Sequence, residues 1–154
     1  MKKLAVFILF ILVFSGTVFG QTEINLINEL INYLDKPVPS GAMRVNRSEY
    51  SREISSTEIY SVYEVFEVLE NNVIMAANKI IGYNNFVNGF YGQLFTTFEP
   101  LGVPIAETRN SAVWINKEYI IIITLSDIDR LSSSVIIYVL TVNNFDLFQR
   151  IMGI

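Results

Sequence analysis

Two long apolar runs near the C-terminal end constrain the fold of this chain more than any other feature. They are Tyr119–Leu125 and Val135–Val142, they lie within the stretch Val113–Val142, and both are rich in β-branched residues. Runs of this length and composition are typical of strands whose two faces are both covered by other parts of a protein. The remaining residues must therefore supply cover for both faces of a sheet.

The first twenty residues have the pattern of a secretory signal peptide. Lys2 and Lys3 give a positive start, Leu4–Phe14 is uninterruptedly apolar, and Val18-Phe19-Gly20 offers small or modest residues around a cleavage site. An apolar core of 11 residues is shorter than the roughly 20 that a spanning helix needs, although an uncleaved anchor is the alternative. We expect cleavage near Gly20, a periplasmic or extracellular location, and no transmembrane segment after cleavage.

Cleavage after Gly20 would leave 134 of the 154 residues, a length that suits one domain with its own core. We predict a single α+β domain at 21–154, with an N-terminal helix and connector at 21–54 and a sheet–helix core at 55–154. Without Lys2 and Lys3, nine basic residues remain against 15 acidic ones, which gives a net charge of −6. An acidic chain without a basic cluster is a poor partner for nucleic acid, and we expect none.

The chain contains no histidine and no cysteine. Zinc and iron–sulfur sites therefore lack their usual ligands, and Ser–His or Cys–His nucleophile pairs cannot form. The phosphate-binding and dinucleotide-binding glycine patterns are also absent, as is an S-x-x-K motif. We predict a protein that is not an enzyme and that carries no cofactor and no metal.

An amphipathic helix is predicted from Glu23 to Asp35, followed by a polar connector at Lys36–Tyr50. The segment Ser55–Tyr83 supports two interpretations. As a helix, it begins with a capping box and carries an apolar stripe. As a hairpin, two arms rich in β-branched residues flank a central Asn71-Asn72 turn. We favour the hairpin, and a helix followed by a strand remains the alternative.

An aromatic helix is predicted from about residue 85 to residue 98, and Pro100 and Gly102 end it. Its stripe is wide: apolar residues recur at every fourth position, Phe86, Phe90, Leu94 and Phe98, and Val87, Tyr91 and Phe95 lie beside them. Gly89 and Gly92 lower the helix propensity of this segment. Close approach of the helix backbone to a sheet would compensate for that loss.

The C-terminal third is predicted to contain three strands and a short helix, at Ala112–Ile115, Tyr119–Leu125, Val135–Val142 and Phe145–Met152. Gly102–Asn110 is a loop or a short edge piece, and Ser126–Ser134 is a polar connector. The predicted fold class is therefore α+β, with a single antiparallel sheet of about five strands flanked by helices, in the order α-β-β-α-β-β-β-α.

Acidic residues are the remaining candidates for catalysis or metal binding. Asp127 and Asp129 form a D-x-D pair, but the other ligands and the bend glycine of a calcium loop are absent. Such charges more commonly keep a connector at the surface. A hydrolase would need two carboxylates to converge in one cleft, drawn from Glu64, Glu67, Glu70, Asp127 and Asp129.

The candidate ligand or partner surface is aromatic, and its residues are Phe86, Phe90, Tyr91, Trp114, Tyr119 and Tyr138. We predict an exported, non-enzymatic envelope or periplasmic domain that acts by protein–protein interaction, by self-association or as a structural component. The alternative is a protein that binds a small apolar or carbohydrate ligand in an aromatic-lined pocket between the helix at 85–98 and the sheet.

A second face of the sheet that is only partly covered would be a contact patch. The predicted helices at Glu23–Asp35 and Phe145–Met152 are short, so we expect part of that face to stay exposed. The alternate side chains of Ile120–Ile123 are the residues on which this expectation depends.

Overall fold

The computed structural model describes residues 27–146 and residue 149, which form one antiparallel sheet of eight strands with helices packed on it. The strands are β1 (Met43–Arg44), β2 (Glu49–Ser56), β3 (Tyr60–Leu69), β4 (Asn72–Tyr83), β5 (Ala106–Thr108), β6 (Ser111–Asn116), β7 (Tyr119–Asp127) and β8 (Ser132–Thr141). Helix α1 covers 27–33 of the described residues, helix α2 spans Asn84–Phe98, and single 3-10 turns lie at Glu99–Leu101 and Val142–Asn144.

The sheet is assembled from two four-stranded meanders. Its strand order is β1-β2-β3-β4-β8-β7-β6-β5. The chain lays down β1 to β4, α2 then carries it to the far edge, and β5 to β8 return towards the middle. The two meanders join where β8 pairs antiparallel with β4, from Met75 opposite Leu140 to Tyr83 opposite Ser132.

The predicted fold class was wrong. The sheet has eight strands rather than about five, and the described part of the chain is mostly sheet rather than a small sheet flanked by helices. Strands β1 and β2 lie in the region predicted as an N-terminal helix and connector. Strand β2 has the sequence EYSREISS, and no residue in it is fully buried. A strand of this kind, next to the two-residue edge strand β1, lacks the alternation of apolar and polar residues that marks a strand in sequence.

The hairpin predicted within Ser55–Tyr83 is confirmed. Strands β3 and β4 pair along their whole length, from Tyr60 opposite Gly82 to Leu69 opposite Asn72. The turn lies one residue earlier than predicted, because Glu70 and Asn71 are the two residues with positive φ, at 51° and 71°. Two consecutive positive φ values match the right-handed twist of the flanking strands.

The aromatic helix is also confirmed, and its buried row lies within the predicted stripe. The buried row of α2 is Val87, Tyr91, Leu94 and Phe98, which repeats at helical spacing. Phe86 and Phe90 of the predicted stripe lie to the side. The predicted approach of Gly89 and Gly92 to the sheet was wrong, because no atom lies within 4 Å of a Cβ placed on either glycine.

Helices α1 and α2 pack on one face of the sheet and form the larger core with it. A network at the edge of this face ties α1 to β2 and β3. The Arg52 guanidinium forms an ion pair with the buried Glu64 and donates a hydrogen bond to the Tyr33 hydroxyl at 2.9 Å. The same hydroxyl donates to Glu64 at 3.1 Å. Each polar atom in this half-buried network therefore has a partner.

The opposite face carries a second apolar cluster, made of Met75, Ala77, Ile120, Ile122, Tyr138 and Leu140. Among the described residues, only Phe145 packs against this cluster from outside the sheet. The predicted exposure of Ile120–Ile123 was wrong, because these four residues are between 0% and 6% exposed. The two apolar runs are thus central strands buried on both faces, as their composition predicts.

Three predictions concern residues that are partly or wholly outside the described range. The helix predicted at Glu23–Asp35 is helical over 27–33, and its start lies outside the described residues. The helix predicted at Phe145–Met152 is helical at residues 145, 146 and 149, and the remainder lies outside. The segment 1–20, predicted to be a signal peptide, lies outside entirely. Within residues 27–146 and 149, no helix is long and apolar enough to cross a membrane.

Candidate protein-binding surface

The six aromatic residues predicted as a surface do not form one. Tyr91 and Trp114 are buried in the larger core beneath α2. The Trp114 indole donates a hydrogen bond from Nε1 to the Gly102 carbonyl at 3.1 Å, and the rings of Phe95 and Phe98 pack against it with centroids 5.6 Å and 5.2 Å away. A ring enclosed in this way contributes to packing rather than to a surface.

The other four predicted residues are dispersed. Tyr138 is buried on the opposite face of the sheet, where burial is the main cause that raises the pKa of its hydroxyl. Phe90 and Tyr119 are half-buried at the margin of the larger core. Phe86 alone reaches an exposed position, at the start of α2.

The five candidate carboxylates do not converge either. Glu64 and Glu67 lie on opposite faces of β3, because Glu64 bonds to Tyr33 of α1 whereas Glu67 is paired across the sheet with Met75 of the second apolar cluster. Glu70 lies in the turn at one end of β3, and Asp127 and Asp129 lie beyond its other end. The geometry that a carboxylate hydrolase requires is therefore not present among these residues.

Glu67 is a buried carboxyl with an incomplete set of partners. Its side chain is hydrogen-bonded to Ser48, but Oε2 has no hydrogen-bond partner, and the residue is only 8% exposed. Burial raises the pKa of this carboxyl above its ordinary value, and the neighbouring Glu49 raises it further, while the bond from Ser48 acts in the opposite direction. The charged form of Glu67 is thus disfavoured in the folded protein.

A group of exposed apolar residues lies at one end of the sheet, and we call it the tip surface. It consists of Ile59, Tyr83, Phe86, Ile128 and Leu131, which are between 36% and 70% exposed. These residues come from the turn between β2 and β3, the junction of β4 with α2, and the loop between β7 and β8. Large apolar side chains grouped in this way are typical of interaction sites.

Backbone hydrogen bonds hold the three loops of the tip surface together. The Tyr83 amide donates to the Ile59 carbonyl at 3.3 Å, and the Asn84 amide donates to the Leu131 carbonyl at 2.9 Å. The Asn84 side chain donates from Nδ2 to the Arg130 carbonyl at 3.0 Å and accepts a bond from the Ser133 hydroxyl. The Asn84 side chain thus joins segments that are far apart in sequence.

Each outer loop is also held internally. Thr57 Oγ1 accepts hydrogen bonds from the amides of Ile59 and Tyr60, both at 3.2 Å. Asp129 Oδ1 accepts bonds from the amides of Leu131 and Ser132 at 2.7 Å and 2.8 Å. These backbone bonds lower the pKa of the Asp129 carboxyl, which keeps it ionised. The apolar side chains are therefore presented by preorganised loops.

A shallow groove of about 200 Å³ runs between the β2–β3 turn and the end of β4, with Ile59, Tyr60, Gly82 and Tyr83 among its lining residues. The Tyr60 ring stacks on Phe86 with centroids 4.7 Å apart, which connects the groove to α2. Gly82 is required here, because a Cβ at this position would lie 2.7 Å from the Ile59 carbonyl oxygen and 2.9 Å from Tyr60 Cβ.

A second cavity, of about 220 Å³, lies where α1 meets the C-terminal end of α2. Its wall is mainly apolar, with Ile31, Phe98, Leu101 and Ile121 among its lining residues, and Asn116 adds an amide. None of the six aromatic residues predicted from the sequence lines it. The cavity does lie between α2 and the sheet, as the alternative hypothesis of a small-ligand site predicted.

No protein-family model matches the chain, and neither a curated protein nor a solved structure shows significant similarity to it. Functional inference therefore depends on the surface and its chemistry.

The close approach at Gly82 makes a direct prediction. Gly82→Ala should lower the free energy of unfolding by about 1–3 kcal/mol, because the added Cβ meets backbone atoms that cannot move aside easily. Gly89→Ala is the matched control, since its Cβ would enter open space, and it should raise stability by roughly 0.5–1 kcal/mol through helix propensity. Urea unfolding followed by Trp114 fluorescence measures both, and equal effects of the two variants would contradict the assignment.

Glu67 makes a prediction about pH. A carboxyl whose pKa is raised by folding contributes stability at low pH that is lost as pH rises through the folded-state pKa. Glu67→Gln should therefore be more stable than the unsubstituted protein at pH 8, by about 1 kcal/mol, and the difference should shrink towards pH 5. Urea unfolding at both pH values tests this, with the exposed Glu70→Gln as control. A destabilised Gln variant at pH 8 would show that the carboxylate is bound as an anion.

Proposed function

We propose that this protein is an exported, non-enzymatic domain that acts by binding another protein through the tip surface. The observation that carries the proposal is the grouping of five exposed apolar side chains on three hydrogen-bonded loops. Water contact of such groups is unfavourable by about 25 cal/mol per Å² of apolar area, and a partner that covers them would recover that free energy.

The shape of the surface supports a protein partner. The loops are fixed by backbone and side-chain hydrogen bonds, so little conformational entropy is lost when a partner binds. Tyr83 and Phe86 come from the junction of β4 with α2, which is hydrogen-bonded to both outer loops and is therefore the middle one of the three segments. Tyrosine and phenylalanine at the centre of an exposed patch are enriched in protein interfaces.

Two properties of the sequence support the other parts of the proposal. The N-terminal pattern from Lys2 to Gly20 supports export, and so a partner in the envelope or outside the cell. The lack of histidine and cysteine, together with the dispersed carboxylates, supports a function that does not depend on catalysis.

Site-specific photo-crosslinking in the native host tests the proposal. A photoreactive residue at Leu131 should give a discrete crosslinked species, either with another protein or with a second copy of this chain. Val103 is the matched control position, because it is exposed to 87% but lies outside the tip surface. Ile59→Ser combined with the Leu131 probe should reduce the yield, since it removes apolar contact area without touching the core.

Two outcomes would overturn the proposal. One is a Leu131 probe that gives no product beyond the level of the Val103 probe. The other is a product whose yield is unchanged by Ile59→Ser.

A second candidate function is binding of a small apolar ligand in the 220 Å³ cavity between α1, α2 and the sheet. A dry cavity of 150 Å³ is large enough for benzene, so this volume suits a single-ring molecule. Isothermal titration with p-cresol should show a dissociation constant of about 1 mM or lower.

Leu101→Trp, which fills the cavity from its wall, should abolish that binding. Leu69→Trp, at an exposed position far from the cavity, should leave it unchanged. If titration of p-cresol into the unsubstituted protein gives no detectable heat, binding of a small apolar ligand in this cavity is excluded.

A further inference from the structure

We propose that the partner of the tip surface is a protein segment that combines apolar with basic side chains. This inference rests on the proposed function and adds the chemistry of the partner. The inference depends on the charged residues that border the apolar side chains of the tip surface. The three loops described above place these charged residues there.

The border of the tip surface is acidic on both sides. Glu58 lies in the β2–β3 turn next to Ile59, and Asp127 and Asp129 flank Ile128 in the β7–β8 loop. Arg130 is the one basic residue in the three loop segments 57–60, 82–86 and 126–133. Three acidic residues and one basic residue therefore border the apolar centre of the tip surface, and we call this negatively charged border the rim.

One acid of the rim is held in its charged form by the backbone of its own loop. The pKa of Asp129 is lowered by the backbone amides of Leu131 and Ser132, so this carboxylate is ionised. Asp127 accepts a hydrogen bond from the Ser133 hydroxyl at 3.0 Å, which fixes its side chain at the base of the loop. Glu58 is exposed at the apex of its turn.

The whole chain has the same sign as the rim, with a formal net charge of −4. Long-range attraction therefore favours cationic partners and opposes anionic ones. A bilayer surface rich in anionic lipid would be repelled, although exposed isoleucine and leucine side chains could otherwise enter it. The combination of an apolar centre and an acidic rim favours a peptide-like segment with Leu or Ile side chains flanked by Lys or Arg.

The groove at Gly82 gives this segment a place to insert a side chain. Its volume of about 200 Å³ accommodates individual side chains rather than a folded element. Thr57, Glu58 and Ser61 lie along the same groove, so a basic residue next to an inserted apolar one would meet the Glu58 carboxylate.

Two synthetic peptides provide the test. Both have about 14 residues and the same leucine positions on a helical stripe, and their polar positions are all Lys in one peptide and all Glu in the other. Fluorescence anisotropy with the purified protein should show binding of the Leu–Lys peptide at least about ten-fold tighter than that of the Leu–Glu peptide. The preference should narrow between roughly 50 mM and roughly 300 mM salt, because screening weakens the rim charges.

Variants connect the binding to the tip surface. Leu131→Ser should weaken binding of the Leu–Lys peptide about ten-fold or more, and Glu58→Lys should weaken it by roughly three- to ten-fold. Val103→Ser and Glu99→Lys, which make the same changes elsewhere on the surface, should leave the affinity within about two-fold.

The outcomes separate this inference from the proposed function. If both peptides bind equally and Leu131→Ser weakens both, the basic partner is excluded while protein binding at the tip surface stands. If the Leu–Lys peptide fails to bind although the Leu131 crosslink forms, the inference alone is again overturned. Binding that is unaffected by Leu131→Ser overturns it as well. If the protein binds phosphatidylglycerol vesicles and this binding depends on Leu131, the partner of the tip surface is a membrane rather than a protein, and the inference is overturned.

Discussion

The pairing of β4 with β8 is the interaction on which the rest of this structure depends. It is the only strand pairing between the two four-stranded meanders among the described residues, and it places β4 and β8 in the middle of the sheet. Both strands are buried on both faces, so the apolar surface they remove from water supplies a large part of the driving force for folding. Helix α2 connects the two meanders along the chain and packs on the sheet where β4 pairs with β8.

The parts of the fold that could be predicted are those that bury apolar surface. The runs in β7 and β8, the β3–β4 hairpin and helix α2 all carry a strong pattern because a core selects it. Strand β2 could not be predicted, since Arg52 has its partner Glu64 on the neighbouring strand and the other residues face water in part. The pairing of β2 depends on tertiary contacts, and a single sequence does not show such contacts.

The candidate surface was missed for a related physical reason. Trp114 and Tyr91 are conspicuous in sequence because they are large and aromatic, and those same properties draw them into the core. Ile128 and Leu131 occur within a connector that is otherwise polar. Apolar residues in a short turn cannot be buried by the two strands that the turn connects. Large apolar residues within a polar connector were therefore the sequence signal that could have identified the tip surface. Only the hydrogen bond from the Asn84 amide to the Leu131 carbonyl shows that they lie at the same end of the sheet as Tyr83 and Ile59.

The tip surface is built from both meanders, because Ile59 and Tyr83 belong to the first and Leu131 to the second. It therefore exists only in a chain whose halves have already joined. A molecule that binds there has affinity for the joined chain and little for either half, so by mass action it stabilises the β4–β8 pairing from outside. A partner that binds at this end of the sheet would thus distinguish chains whose two meanders have joined from chains whose meanders have not. It would do so without contacting the core, although the core is where the two kinds of chain differ.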